Sequence, residues 1–216
     1  VAVGSLVGAK PALATSAAHY RQLGLQYRSQ ERFPDAIAAL QKAVELDAKN
    51  INGRINLGWT LHLAKQEQAA IEMLESTIPY NPFHVPTFNA LGIVYLVKGD
   101  LMAAILTHSW AAMLNSQNEI AYYNLSLGFE RVMAYDWAIS CAETAVELEP
   151  SNPHPLVALA IAQNGQGDLK QAQRSFQQAI NLDGRYRDRR FLDFLAEAGF
   201  SADQIQESKR LLETLP

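Results

Sequence analysis

The chain has 216 residues, 49% of them apolar and 19% charged, with a net charge of −4 and a pI near 5.7. That supplies apolar side chains for one elongated domain or at most two compact ones. The acidic balance argues against a general nucleic-acid binder, which needs a basic face against phosphates. The single cysteine, Cys141, cannot form an internal disulfide.

Residues 1–16 read as a leader. Val1–Ala14 is a short apolar run, a Pro and then Ala-Leu-Ala, which resembles the tail of a secretory signal cleaved after Ala14. A positively charged start is missing, and a plain Ala/Gly-rich leader is the alternative. The expectation is export to a periplasm or lumen, or membrane association, with a cytoplasmic location as the alternative. No other run of roughly 18 residues is apolar enough to span a bilayer.

From residue 17 the chain repeats itself. Alanine recurs at Ala36, Ala70, Ala104, Ala138 and Ala172, always 34 residues apart. Twelve residues before each stands a small residue, Gly24, Gly58, Gly92, Ser126 or Ala160, and each follows a leucine. The units are 17–50, 51–84, 85–118, 119–152 and 153–186. Each predicts two antiparallel helices whose small residues let the backbones approach. Turns fall at Gly99-Asp100 and Gly167-Asp168, and Pro34 opens a helix.

After residue 186 the period fails. Phe191, Leu192, Phe194 and Leu195 form an apolar stripe able to cover the last unit, and Ser201 with Gln204 predicts a capping box. Residues 187–216 are therefore expected to be capping helices, which solenoids need for solubility.

The columns resemble the tetratricopeptide repeat: an aromatic, Leu-Gly, a second aromatic, then a small Ala. The first unit shows Tyr20, Leu23, Gly24, Tyr27 and Ala36; the third shows Phe88, Leu91, Gly92, Tyr95 and Ala104. Arg54 replaces the first aromatic in unit two and Gln163 the second in unit five. The resemblance implies an all-α, right-handed superhelical solenoid of five hairpins with a concave groove, and a protein that binds other proteins. Bacterial members of the family serve biogenesis of pilus, outer-membrane and photosynthetic complexes.

Signatures of chemistry are absent. There is no His-Glu-x-x-His, no phosphate-cradling glycine loop, no Gly-x-Ser-x-Gly and no paired-cysteine metal site. The five histidines are not paired at ligand spacing, and His108 falls where the repeat packs a large core residue. The chain is read as non-enzymatic, without metal or cofactor.

Three surfaces are candidates for a partner. The groove in this family is lined from the first helix of each unit. The ninth position reads Leu25, Trp59, Ile93, Leu127 and Ile161, and the fifth adds Ile55, Tyr123 and Val157. These residues either form an apolar groove for a peptide or, if the first helices are rotated, are partly core. The family's chaperone-carboxylate clamp is not expected, because of its Lys and Asn positions only Asn56 fits among Arg21, Leu25, Asn56, Pro86 and Ala90.

The second surface is the outer face of repeat three. Met102, Leu106, Trp110 and Met113 share one helix face where unit five carries Lys170, Arg174 and Gln178. Four such side chains would expose roughly 300–400 Å², the size at which a patch stops being incidental. The alternative is that the leader or the C-terminal helix folds back over them. The third surface is Arg185, Arg187, Arg189 and Arg190: a solvated helix start, or a contact for an acidic partner or anionic lipid.

Together these predict a scaffold that assembles or accompanies a membrane-associated complex, with peripheral membrane association. A soluble cytosolic adaptor holding an apolar peptide in the groove is the alternative.

Overall fold

A computed structural model describes residues 16–215, so the leader predicted over 1–16 lies outside the described residues except for Ser16. Eleven α-helices are described: α1 (Ala17–Ser29), α2 (Phe33–Leu46), α3 (Ile51–Leu63), α4 (Glu67–Glu75), α5 (Val85–Lys98), α6 (Leu101–Leu114), α7 (Glu119–Arg131), α8 (Tyr135–Leu148), α9 (Pro153–Gln166), α10 (Leu169–Leu182) and α11 (Ala202–Glu213). Short 3₁₀ segments cover Ile78–Tyr80, Gly184–Arg187 and Phe191–Ala198, and no strand occurs among the described residues. The first helices of the pairs begin at 17, 51, 85, 119 and 153, and the second at 33, 67, 101, 135 and 169.

Local chemistry sets these boundaries. Side chains at Ser16, Asn50 and Asn152 accept backbone N–H groups at the starts of α1, α3 and α9. Asp100 and Asp168 do the same for α6 and α10. The turn inside every hairpin places one residue in the left-handed region: Glu31, Lys65, Gly99, Met133 and Gly167, with φ of 57°, 61°, 90°, 59° and 98°. Only two of these five are glycine, the residue that adopts this backbone without a Cβ clash.

The small-residue column explains the tight hairpins. A Cβ on Gly24 would lie 2.5 Å from Leu40, one on Gly58 2.7 Å from Leu74, and one on Gly92 2.5 Å from His108. The second helix of repeat two ends early, at Glu75, where its counterparts run 14 residues. Pro79 lacks the N–H that would continue it, and Ile78–Tyr80 finishes the repeat as a 3₁₀ turn. Arg54, which stands in an aromatic's slot, donates to the Ala48 carbonyl at 2.7 Å and to Ser76 Oγ at 2.7 Å. Its guanidinium lies 4.8 Å from the Tyr80 ring centre.

Two compact units divide the described residues, 16–80 and 81–215. The first holds α1–α4 around Ala36, Leu40, Ala43, Leu57, Leu61, Ala70, Ile71 and Leu74. The second holds α5–α11, and its core runs from Leu96 and Leu127 through Val157, Ile161 and Phe176 to Leu192, Leu195, Phe200, Ile205 and Leu211. The C-terminal part departs from expectation. Residues 191–198 form 3₁₀ turns rather than an α-helix, with Leu192 and Leu195 buried but Phe194 exposed. The predicted capping box at Ser201 and Gln204 is present.

Candidate protein-interaction surfaces

In the first unit the predicted groove residues Leu25, Ile55 and Trp59 are half-buried side chains with part of their surface free. In the second unit Ile93 and Tyr123 are likewise half-buried. Leu127, Val157 and Ile161 are not groove surface: they are 0%, 0% and 1% exposed. The reason is the C-terminal helix. The Tyr123 hydroxyl donates to the Ala198 carbonyl at 2.6 Å, and the Phe200 ring centre lies 6.1 Å from that of Tyr123. Gln204 Nε2 donates to the Leu127 carbonyl at 3.1 Å and to Glu130 Oε2 at 2.7 Å. Asn164 donates to Glu207. Thus α11 lies across α7 and α9, on the face that would otherwise line the groove of repeats four and five.

Beside α11 a cavity of about 570 Å³ remains, lined in part by Glu130, Arg131, Asp203, Glu207 and Arg210. Burial pushes the Glu130 carboxyl up, and the charges of Glu207 and Asp203 add to this, against the Gln204 hydrogen bond and the Arg131 charge. Arg131 Nη1 donates to the Leu96 carbonyl at 2.7 Å, satisfying the end of α5.

The outer face of α6 is exposed. Met102, Leu106, Trp110 and Met113 are 65%, 64%, 39% and 76% accessible, and the C-terminal helix packs on α7 and α9 rather than over them. Trp110 keeps one edge on Phe88, with ring centres 6.5 Å apart. Residues in the same register of α8 are Asp136, Ser140, Thr144 and Glu147, and in α10 they are Lys170, Arg174, Gln178 and Asn181. Repeat three alone carries four large apolar side chains there.

The arginine cluster is partly committed to its own chain. Arg185 pairs with Asp183 at 2.7 Å and lies 4.6 Å over the Phe191 ring. Arg189 pairs with Glu213 at 3.1 Å. Arg187 and Arg190 are exposed. All four are drawn to the surface next to the last 3₁₀ segment, and half of their charge is locally neutralised.

No group of metal-ligating side chains occurs among the described residues. His108 is fully buried, its ring nitrogens lack hydrogen bonds of ordinary geometry, and burial pushes its pKa down to about 3. Burial pushes the Cys141 thiol up to about 11. One feature escaped sequence reasoning: Met133 in the turn between α7 and α8 and Trp137 at the start of α8 are exposed, with the Trp137 and Phe129 ring centres 6.1 Å apart. The signal was available, since Asp35, Ala69, Ala103 and Gln171 hold the register of Trp137 in the other repeats.

The fold and these surfaces define a class: an all-α array of helical hairpins that presents apolar helix faces. A family model described as the TPR repeat matches residues 24–63. Those residues carry a tetratricopeptide repeat, and the chain shares its fold with solved tetratricopeptide repeat proteins. No curated protein matches it. Among solved structures, MamA is 24% identical, with 79% of this chain and 93% of that one covered and a TM-score of 0.68. MamA from Desulfovibrio magneticus RS-1 is 18% identical over 77% and 94%, with a TM-score of 0.70. YrrB, described as a TPR protein with an unusual peptide-binding site, is 18% identical over 78% and 87%, with a TM-score of 0.63.

Proposed function

We propose that this chain is a non-enzymatic protein–protein interaction scaffold, exported or membrane-associated, that serves as an assembly factor or accessory subunit of a membrane-associated complex. The observation that carries the reading is the outer face of α6, where four large apolar side chains stand in solvent. Burying roughly 300–400 Å² there would contribute about 8–10 kcal/mol gross at ~25 cal/mol per Å², and much less net of the cost of association. The face fits an apolar protein surface better than an anionic bilayer. From residue 85 to 129 the only Lys or Arg is Lys98, and peripheral binding to anionic lipid needs a basic rim. No helix among the described residues is long and apolar enough to cross a membrane. In the first unit, Leu25, Ile55 and Trp59 offer a second, smaller contact for an extended peptide.

The test is the double variant Leu106→Glu, Trp110→Glu. It should keep wild-type helicity and melting temperature while losing capture of the membrane-complex component that wild type crosslinks. Unfolding of the variant, or undiminished capture, would sink the docking role. Recovery of the native protein away from membranes and without a membrane-complex partner would sink the assembly reading.

A further inference from the structure

The turn between α7 and α8 gathers features that the other repeats lack. Met133 holds its left-handed position, φ 59°, with a long apolar side chain in solvent, where the equivalent turns carry Glu31, Lys65, Gly99 and Gly167. Trp137, at the start of α8, is exposed as well and leans on Phe129. Large apolar side chains exposed next to one another mark interaction sites, and tryptophan is among the residues that dominate binding at interfaces. Two cavities adjoin this pair. The larger, about 570 Å³, is lined by Glu130, Asp203 and Glu207, and the smaller, about 180 Å³, by Asp136 and Trp137; Met133 and Tyr135 line both. The Tyr135 ring packs so closely on Gly165 that a Cβ there would overlap it, which fixes the wall the cavities share.

Charge is unbalanced here. The two cavities hold four carboxylates against two guanidiniums, Arg131 and Arg210. Both guanidiniums are engaged, Arg131 on the Leu96 carbonyl at 2.7 Å and Arg210 on Glu207 at 2.8 Å. Burial raises the Glu130 carboxyl, and the charges of Glu207 and Asp203 raise it further against that of Arg131, so an added cation would be favoured beside it. An apolar pair thus stands next to a cavity that is short of positive charge.

We propose that this turn is a docking site for a partner segment in which a lysine or arginine stands next to a large apolar residue. The basic side chain enters the larger cavity toward Glu130, Asp203 and Glu207, and the apolar one packs on Met133 and Trp137. Complementary charge selects the partner, and the apolar contact holds it. The cavity's volume lies within the range of about 300–1,000 Å³ that ligand pockets occupy. The site shares no residue with the exposed face of α6, so it is independent of that docking role.

The probes are three acetylated and amidated peptides, Ala-Leu-Lys-Leu-Ala, Ala-Leu-Glu-Leu-Ala and Ala-Ser-Lys-Ser-Ala, titrated into the ¹⁵N-labelled full chain. The first should shift the amides of Met133 and Asp203 and the indole of Trp137, and the other two should bind at least tenfold more weakly. Trp137→Ser and Asp203→Asn change exposed side chains, so both variants should keep the wild-type amide spectrum elsewhere and each should weaken the first peptide at least fivefold. A Leu106→Glu, Trp110→Glu chain should bind it as wild type does. Absence of binding, equal binding of the lysine and glutamate peptides, or equal binding of the serine-flanked peptide would overturn the proposal. So would binding that survives both single variants, or that is lost with the α6 residues.

Discussion

Gly92 and His108 are in contact closer than any side chain on residue 92 would permit: a Cβ there would sit 2.5 Å from Nε2 and 2.6 Å from Cδ2 of the imidazole. The ring is fully buried in α6 and cannot withdraw. Gly92→Ala should therefore destabilise the protein. Overpacking costs about 1–3 kcal/mol, against a gain of ~1 kcal/mol in helix propensity, for a net loss of up to about 2 kcal/mol in urea unfolding. Gly58→Ala should cost less, since the flexible Leu74 side chain is the group that must move.

The same contact predicts a pH dependence. The folded-state pKa of His108 is about 3, against an ordinary value of 6.5. Above pH 6.5 the ring is neutral in both states and contributes no pH dependence. As pH falls from 6.5 toward 3, the unfolded chain takes up the proton and the folded one does not, so stability drops. The loss between pH 7 and 5 is about 2 kcal/mol from this residue. His154 and His84, whose values are also lowered by burial, act in the same direction. His108→Leu, the residue found at positions 40 and 74, should remove the His108 share of that slope. It should also stabilise the protein at pH 7 by about 1–3 kcal/mol, by removing a buried group without partners. Urea denaturation at pH 5 and 7 checks both.

The left-handed turn residues predict opposite effects at equivalent sites. A Cβ on Gly167 would touch nothing within 4 Å, so Gly167→Ala isolates the backbone term and should cost about 1 kcal/mol. Lys65→Gly, at φ 61°, should stabilise by a similar amount, about 1 kcal/mol less the added freedom of the unfolded chain. Thermal melts of the two variants should shift in opposite directions.

Glu130 offers a titration. Its carboxyl already sits above the ordinary value because of burial, and Gln204 holds it down through a hydrogen bond. Gln204→Ala should raise it further, visible in the carboxyl ¹³C shift. A raised folded value means that ionisation favours the unfolded chain. The variant should thus lose stability relative to wild type as pH rises through the carboxylate range, by about 1–3 kcal/mol for a lost hydrogen bond to a charged group.

The hairpins were legible in the sequence because their determinants are local and repeated. Gly24, Gly58 and Gly92 each announce a close approach to a residue sixteen positions later, and Asp100 and Asp168 announce helix starts. The apolar face of α6 was equally legible, since it breaks a register that is polar in α8 and α10. What could not be read was the fate of Leu127, Val157 and Ile161. An apolar residue at a groove position looks the same in sequence whether it faces solvent or lies beneath another helix. The helix that shapes this face is bonded to Leu127 and Glu130 from 77 and 74 residues away, through Gln204, whose side chain gives no apolar signal. The early end of α4 depended on Pro79, where the other four repeats carry Glu45, Met113, Glu147 and Asn181.

Cys141 gives the protein a built-in clock. It is the chain's sole thiol, it is buried in α8, and at neutral pH it remains protonated. Alkylating reagents attack the thiolate, and only where they can reach it. Modification of the native protein by maleimide is therefore paced by the opening of the hairpin that contains α8, and the labelling rate counts those openings without any engineered probe.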